Sequence, residues 1–218
     1  MPLTLPALCI VTRARGRDGS RERSALIDRL EQAALAGATM VQVRERQLDD
    51  RDLLVFVEQV IARVRTAGAQ VTVNDRTDIA LAAGADGVHL KSHAPPAAEV
   101  RRIVPAGFVI GRSVHGENEA ASVASDGGCD YLVFGTVFPS SSKPVDHPVA
   151  GLAALSAVCR RVSLPVLAIG GITPDRIGAL VDAGASGIAV ISLFADAPEV
   201  TAALHAARGA LTLPARRV

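Results

Sequence analysis

The chain of 218 residues is 49% hydrophobic and sets Lys+Arg 23 against Asp+Glu 22, a formal net charge of +1. That apolar fraction excludes wholesale disorder, while near-neutral charge and 3% aromatic residues leave neither a basic footprint nor a stacking platform for nucleic acid. No apolar run reaches the ~18 residues that span a bilayer, and the apolar stretch near Met1 has no basic segment ahead of it, which argues against a secretory signal.

Val- and Ile-rich runs alternate with helical patterns from end to end. Strands are predicted at Leu8–Thr12, Met40–Glu45, Gln70–Asn74, Gly87–Leu90, Phe108–Val114, Tyr131–Val137, Val166–Gly170 and Gly187–Ser192. Helices are predicted between and after them, at about 24–36, 49–67, 78–84, 97–104, 117–126, 150–162, 174–184 and 197–210. The strands read as continuous apolar runs, the mark of parallel strands buried on both faces. Four helix ends echo one another, in AGATMVQV, AGADGVHL, GGCDYLVF and AGASGIAV. There Gly37, Gly84, Gly128 and Gly184 can take the left-handed conformation that closes a helix. Eight βα units without a linker predict a single-domain (β/α)8 TIM barrel over residues 1–218, with its core at about 8–210. A doubly wound open sheet is the alternative, because strand order is not written in a sequence. Cys9, Cys129 and Cys159 are odd in number and far apart, which fits reduced thiols in a cytoplasmic protein.

In such a barrel, function gathers at the C-terminal ends of the strands. Those ends are rich in groups that bind anions or move protons. After the second predicted strand, Gln42, Arg44 and Arg46 alternate, so all three point into the barrel, where two guanidiniums match a diphosphate. Glu45 then points outward, into an ion pair. Asn74-Asp75 ends the third strand, and Asp75 is either a Mg²⁺ ligand or the cap of the helix beginning near Thr77. His89 reads as a satisfied core or rim histidine. Ser113 and His115 share a period of two, and His115 is placed to shuttle protons. His93, His147 and His205 carry little signal. The loop PSSSKP, with Ser140, Ser142 and Lys143, offers hydroxyls and an ammonium for phosphate oxygens. LAIGGITPDR and AGASGIAVIS bring Gly171, Ile191 and Ser192 to the usual phosphate position of a barrel, after strands seven and eight. The basic stretch Arg13–Arg23 is either a lid or a solvated loop.

The stretches CIVTR, GATMVQVRER, VTVNDRTDIALAAGADGVHL, IGRSVH, DYLVFGTVFPSSSKP and PVLAIGGITPDRIGALVDAGASGIAVIS run in this order over about residues 8–195. Together they resemble the thiamin-phosphate synthase and thiazole-tautomerase superfamily of (β/α)8 barrels. The resemblance implies a transferase of thiamin biosynthesis that couples hydroxymethylpyrimidine diphosphate to thiazole phosphate and releases pyrophosphate. It implies small phosphorylated pyrimidine and thiazole substrates, no nucleic acid and no membrane, and leaves a homo-oligomer open. It puts Gln42 and Asn74 at the pyrimidine, Arg44, Arg46, Ser113 and Lys143 at the diphosphate, and Asp75 on Mg²⁺. Ser140, Ser142, Gly171, Ile191 and Ser192 fall on the thiazole phosphate. Arg46 stands where the family commonly has a lysine, and Ala94 where a second metal-binding aspartate is usual. Lys91, nearby, adds positive charge that could stand in for part of the metal's. Loss of that aspartate, with His115, also fits the metal-independent tautomerase branch, and a non-catalytic phosphate-ligand-binding barrel is the second alternative.

Overall fold

The computed structural model describes residues 3–13, 21–140, 144 and 146–212. Ser142, Lys143 and most of the Arg13–Arg23 stretch therefore lie outside the described residues. Eight strands form: β1 (Ala7–Val11), β2 (Met40–Val43), β3 (Gln70–Asn74), β4 (Gly87–Leu90), β5 (Val109–Val114), β6 (Tyr131–Gly135), β7 (Val166–Ile169) and β8 (Gly187–Val190). Each pairs in parallel with the next, and β8 pairs with β1 through Ala7↔Gly187 and Cys9↔Ala189, closing the barrel. The open-sheet alternative is thereby excluded.

Strand residues of one parity face the barrel axis and those of the other face the helices, giving two cores. Inside, Cys9, Met40, Tyr131, Leu167 and Ala189 pack together; outside, Leu8, Ile10, Val41, Val71 and Ile110 pack beneath the helices. Tyr131 is the largest of the fully buried side chains. It fits because Gly111 opposes it: a Cβ there would come within 2.1 Å of the ring.

The helices are α1 (Arg21–Leu35), α2 (Asp50–Val64), α3 (Thr77–Ala82), α4 (Ala97–Arg101), α5 (Glu117–Asp126), α6 (Gly151–Arg161), α7 (Ile177–Asp182), α8 (Ser192–Ala195) and α9 (Val200–Thr212). The four echoed glycines all have positive φ, between 68° and 101°, as their closing role requires. β1 and β7 stop one residue before their predicted ends, and three strands stop two residues before theirs. β2 ends at Val43 rather than Glu45, β6 at Gly135 rather than Val137, and β8 at Val190 rather than Ser192. The ladder ends where the chain leaves the sheet to build the loops at the barrel mouth, and hydrophobicity does not mark that point. Ser192 instead opens α8, a four-residue helix that periodicity is too short to reveal. Its end is tied down by Arg29 of α1, which donates to the carbonyls of Phe194 at 2.8 Å and Ala197 at 3.0 Å.

The described cysteines are free thiols. Burial pushes Cys9 up to about 12, so its thiol is inert packing. Among the described residues no helix is long and apolar enough to cross a membrane.

Candidate active site

A cavity of about 820 Å³ opens at the C-terminal ends of the strands. Gln42, Arg44, Arg46, Asn74, Ser113 and His115 line one side of it. Ser140, Gly171, Ile191 and Ser192 line the other. Groups scattered over some 150 positions of sequence thus meet in one space.

The β2 wall follows its alternation. Gln42 and Arg44 point inward with Arg46, and Gln42 Nε2 donates to Asn74 Oδ1 at 3.1 Å. The backbone N–H of Arg44 donates to Thr12 Oγ1 at 2.8 Å, which fixes the turn out of the sheet. Burial first, then the charges of Arg46 and Arg13, push Arg44 below its ordinary pKa. Such crowding of cations is relieved by a bound anion. Glu45 departs from expectation. It is 4% exposed, it makes no ion pair among the described residues, and burial holds its carboxyl above the usual range. A period of two sets the side of the strand a residue faces, but the outer side at this point is roofed by packing rather than wet.

His89 is buried as predicted, yet it also reaches the cavity wall. Its Nε2 lies 2.9 Å from Ser113 Oγ and its Nδ1 lies 3.3 Å from the Tyr131 hydroxyl. Burial pushes it down from 6.5 to about 4, so the ring is neutral at pH 7 and orients Ser113. Between those two values the unfolded chain binds a proton that the native chain refuses. Stability is therefore expected to fall as pH drops through that window, by up to about 3 kcal/mol in acid. Urea denaturation across the window checks this, and His89→Gln should flatten the dependence.

His115 donates its backbone N–H to Glu119 Oε2 at 2.7 Å, and its ring Nδ1 lies 2.7 Å from the carbonyl of Gly135. A carbonyl only accepts, so Nδ1 carries the proton and Nε2 is the basic atom.

Opposite, Gly170 and Gly171 both have positive φ, 105° and 59°. A Cβ on Gly171 would lie 2.2 Å from the carbonyl oxygen of Pro139, so the loop after β7 presses directly on the loop after β6. Arg176, which the sequence did not single out, braces this junction. It donates to the Gly171 carbonyl at 2.7 Å and sits 4.8 Å above the Phe138 ring. Ile191 and Ser192 start α8, in which the N–H groups of Phe194 and Ala195 donate to the Ile191 carbonyl at 3.2 and 2.8 Å. His93 and His147 also line the cavity, against expectation. Both sit in irregular loops, where no periodicity indicates which way a residue faces.

Asp75 is not a helix cap. The N-cap of α3 is Arg76, without a side-chain cap bond. Asp75 takes a left-handed φ of 62° and turns its carboxylate onto Lys91, whose Nζ forms a salt bridge with Oδ2. Mg²⁺, which the resemblance implies, would need this carboxylate. The residues present do not fit it: Asp75 already holds a cation, Ala94 supplies no oxygen, and no group of three or more His, Cys, Asp or Glu among the described residues could hold a metal.

Comparison with known proteins agrees with this geometry. Residues 8–194 match the family model described as thiamine monophosphate synthase. A thiamine-phosphate synthase from Methanoculleus marisnigri is 46% identical over 176 residues, covering 81% of this chain and 83% of that protein. Another from Chlorobium luteolum is 39% identical over 199 residues, 90% of each chain. Among solved structures, the thiamine phosphate pyrophosphorylase from Pyrococcus furiosus superposes with a TM-score of 0.81 at 32% identity, covering 94% of this chain and 95% of that one. A 3-hexulose-6-phosphate synthase, at 17% identity and a TM-score of 0.69, shares the fold alone. With a closed barrel, a mouth lined by Arg44 and Arg46 and a match across nearly the whole core, the chain belongs to the thiamine monophosphate synthase family.

Proposed function

We propose that this chain is a transferase of thiamin biosynthesis, joining hydroxymethylpyrimidine diphosphate to thiazole phosphate with release of pyrophosphate. The observation that carries the reading is one cavity with an anion-binding face at each side, Arg44 and Arg46 on one and Gly171, Ile191 and Ser192 on the other. Two phosphorylated substrates need two such faces within reach of each other.

The chemistry asks for charge control more than for a base. The bond from the pyrimidine methylene to the diphosphate oxygen breaks with its electron pair, leaving a pyrimidine-methyl cation. The thiazole nitrogen then donates its lone pair to form the new C–N bond, and it has no proton to lose. Negative charge therefore grows on the departing diphosphate, where the guanidiniums of Arg44 and Arg46 neutralise it. Ser113, oriented by neutral His89, donates beside them. The Gln42–Asn74 amide pair keeps the Gln42 carbonyl oxygen as an acceptor, and one N–H of Gln42 and two of Asn74 as donors, for the pyrimidine edge. Backbone N–H groups at Gly171, Ile191 and Ser192, with Ser140, hold the thiazole phosphate. Ser142 and Lys143, which adjoin Ser140 in sequence, belong to this reading by resemblance alone. The free thiols fit a reducing cytosol, where we place the protein.

The test is pyrophosphate release from the purified chain with both substrates, at neutral pH. Release that requires the thiazole phosphate is expected, and none with both present would overturn the reading. One observation favours a second reading, isomerisation of a carboxythiazole phosphate: His115 presents a basic Nε2 at the cavity wall. Under that reading His115→Ala abolishes isomerisation, whereas coupling by the same variant continues under the first.

A further inference from the structure

We infer that Lys91 serves as a built-in cation at the diphosphate site, taking the place of a divalent metal, so that this chain binds its diphosphate without one. The inference rests on the reading above for the identity of the ligand, but its geometry is independent of the reaction.

Lys91 follows the end of β4 and lines the cavity, while Asp75, its partner just after β3, does not. Lys91 is thus the member of the pair that faces the cavity. Asp75 grips it twice over, with Oδ2 on Nζ and Oδ1 accepting from the Lys91 backbone N–H at 3.3 Å. The backbone closes the arrangement, since Asp75 N–H donates to the His89 carbonyl at 2.8 Å. An ammonium has three donors. One is spent on Asp75, and two remain for phosphate oxygens, to which lysine binds as a point charge.

The rest of the loop is fastened from behind. Arg112 is 8% exposed and points outward from β5, where an apolar residue would be ordinary. Its guanidinium donates to the carbonyls of Pro95 at 2.7 Å and of Ser92 and Ala94 at 2.7 and 2.8 Å. These carbonyls, had they turned toward the cavity, are the oxygens a hard cation would recruit. Arg112 takes them away, and Ala94 adds none. Charge balance tells the same way. A divalent ion held by two carboxylates sums to zero, and so does one lysine held by one carboxylate. With alanine at position 94 and a base at position 91, that balance is reached without a metal. Held by Asp75, the ammonium need not reorganise as the leaving group gains charge.

Inorganic pyrophosphate is the probe, with binding followed by calorimetry on the full chain in excess EDTA. Binding is expected in EDTA, and Lys91→Met, which keeps the length and apolar stem, should weaken it about 10- to 100-fold. Far-ultraviolet circular dichroism verifies that the variant folds. A second variant, K91S with A94D, should bind Mn²⁺ by its paramagnetic resonance signal where the parent does not, and should recover pyrophosphate binding only when Mn²⁺ is added. Pyrophosphate binding by the parent that requires a divalent ion, or K91M binding as well as the parent, overturns the inference. The two failures are separable. Coupling that is abolished by EDTA keeps the proposed reaction and sinks the lysine's role. Lys91-dependent pyrophosphate binding in EDTA, without any coupling, does the reverse.

Discussion

Arg44→Ala is expected to lower kcat/KM for coupling by about a thousandfold, roughly 4 kcal/mol of transition-state stabilisation. The loss should fall mainly on kcat. Arg44 meets a diphosphate in the ground state too, but the charge it neutralises grows as the pyrimidine–oxygen bond breaks. A stability measurement separates this from damage to the fold. Arg44 is half-buried among like charges, with Arg46 and Arg13 pushing its pKa down. Removing it relieves repulsion, so Tm should stay level or rise while activity collapses. Arg44→Lys, which keeps the charge and loses the two-pronged geometry, should fall between the two. A variant that unfolds along with its activity would return Arg44 to an ordinary structural residue.

The second large effect is expected at Gly171→Ala. At φ 59° a Cβ is strained, and here it would also stand 2.2 Å from the Pro139 carbonyl oxygen. Neither cost can be avoided by a side-chain rotation, because the neighbour is backbone. The loop after β6 must move, and with it Ser140. Stability should fall by about 2–4 kcal/mol, and KM for the thiazole phosphate should rise on the order of a hundredfold, with the diphosphate substrate affected less. Gly178→Ala in α7 is the control, since nothing lies within 4 Å of its added Cβ and its φ is ordinary. There the change should stabilise by roughly 0.5–1 kcal/mol through helix propensity. Urea denaturation and steady-state kinetics on both variants decide whether strain or mere bulk is responsible.

The salt bridge at Asp75 shows where reading along the chain stops. Asp75 and Lys91 are individually ambiguous, as a metal ligand or helix cap and as a surface lysine. Sixteen positions separate them, and only the β3–β4 pairing that sets Asn74 beside His89 brings the one carboxylate under the one ammonium. Arg176 is a similar case. Within GGITPDR it looks like the first turn of a helix, and its work on the Gly171 carbonyl and Phe138 ring depends on how that turn folds back. Glu45 erred in the opposite direction. Alternation placed it outside the barrel in an ion pair, but it is buried there and makes no ion pair among the described residues.

What the sequence by itself determined was local and periodic. It set eight βα units, the inward row of Gln42, Arg44 and Arg46, the glycines that end helices, and a glycine pair suited to phosphate. Each of these is fixed by φ, by a period of two, or by residues within a few positions of one another. What the tertiary structure alone decided was the pairing of β8 with β1, the burial of Glu45, the neutral His89 behind Ser113, and the salt bridge between Asp75 and Lys91. Those depend on distances through space between remote segments, and on the charge and solvent each segment then finds around it.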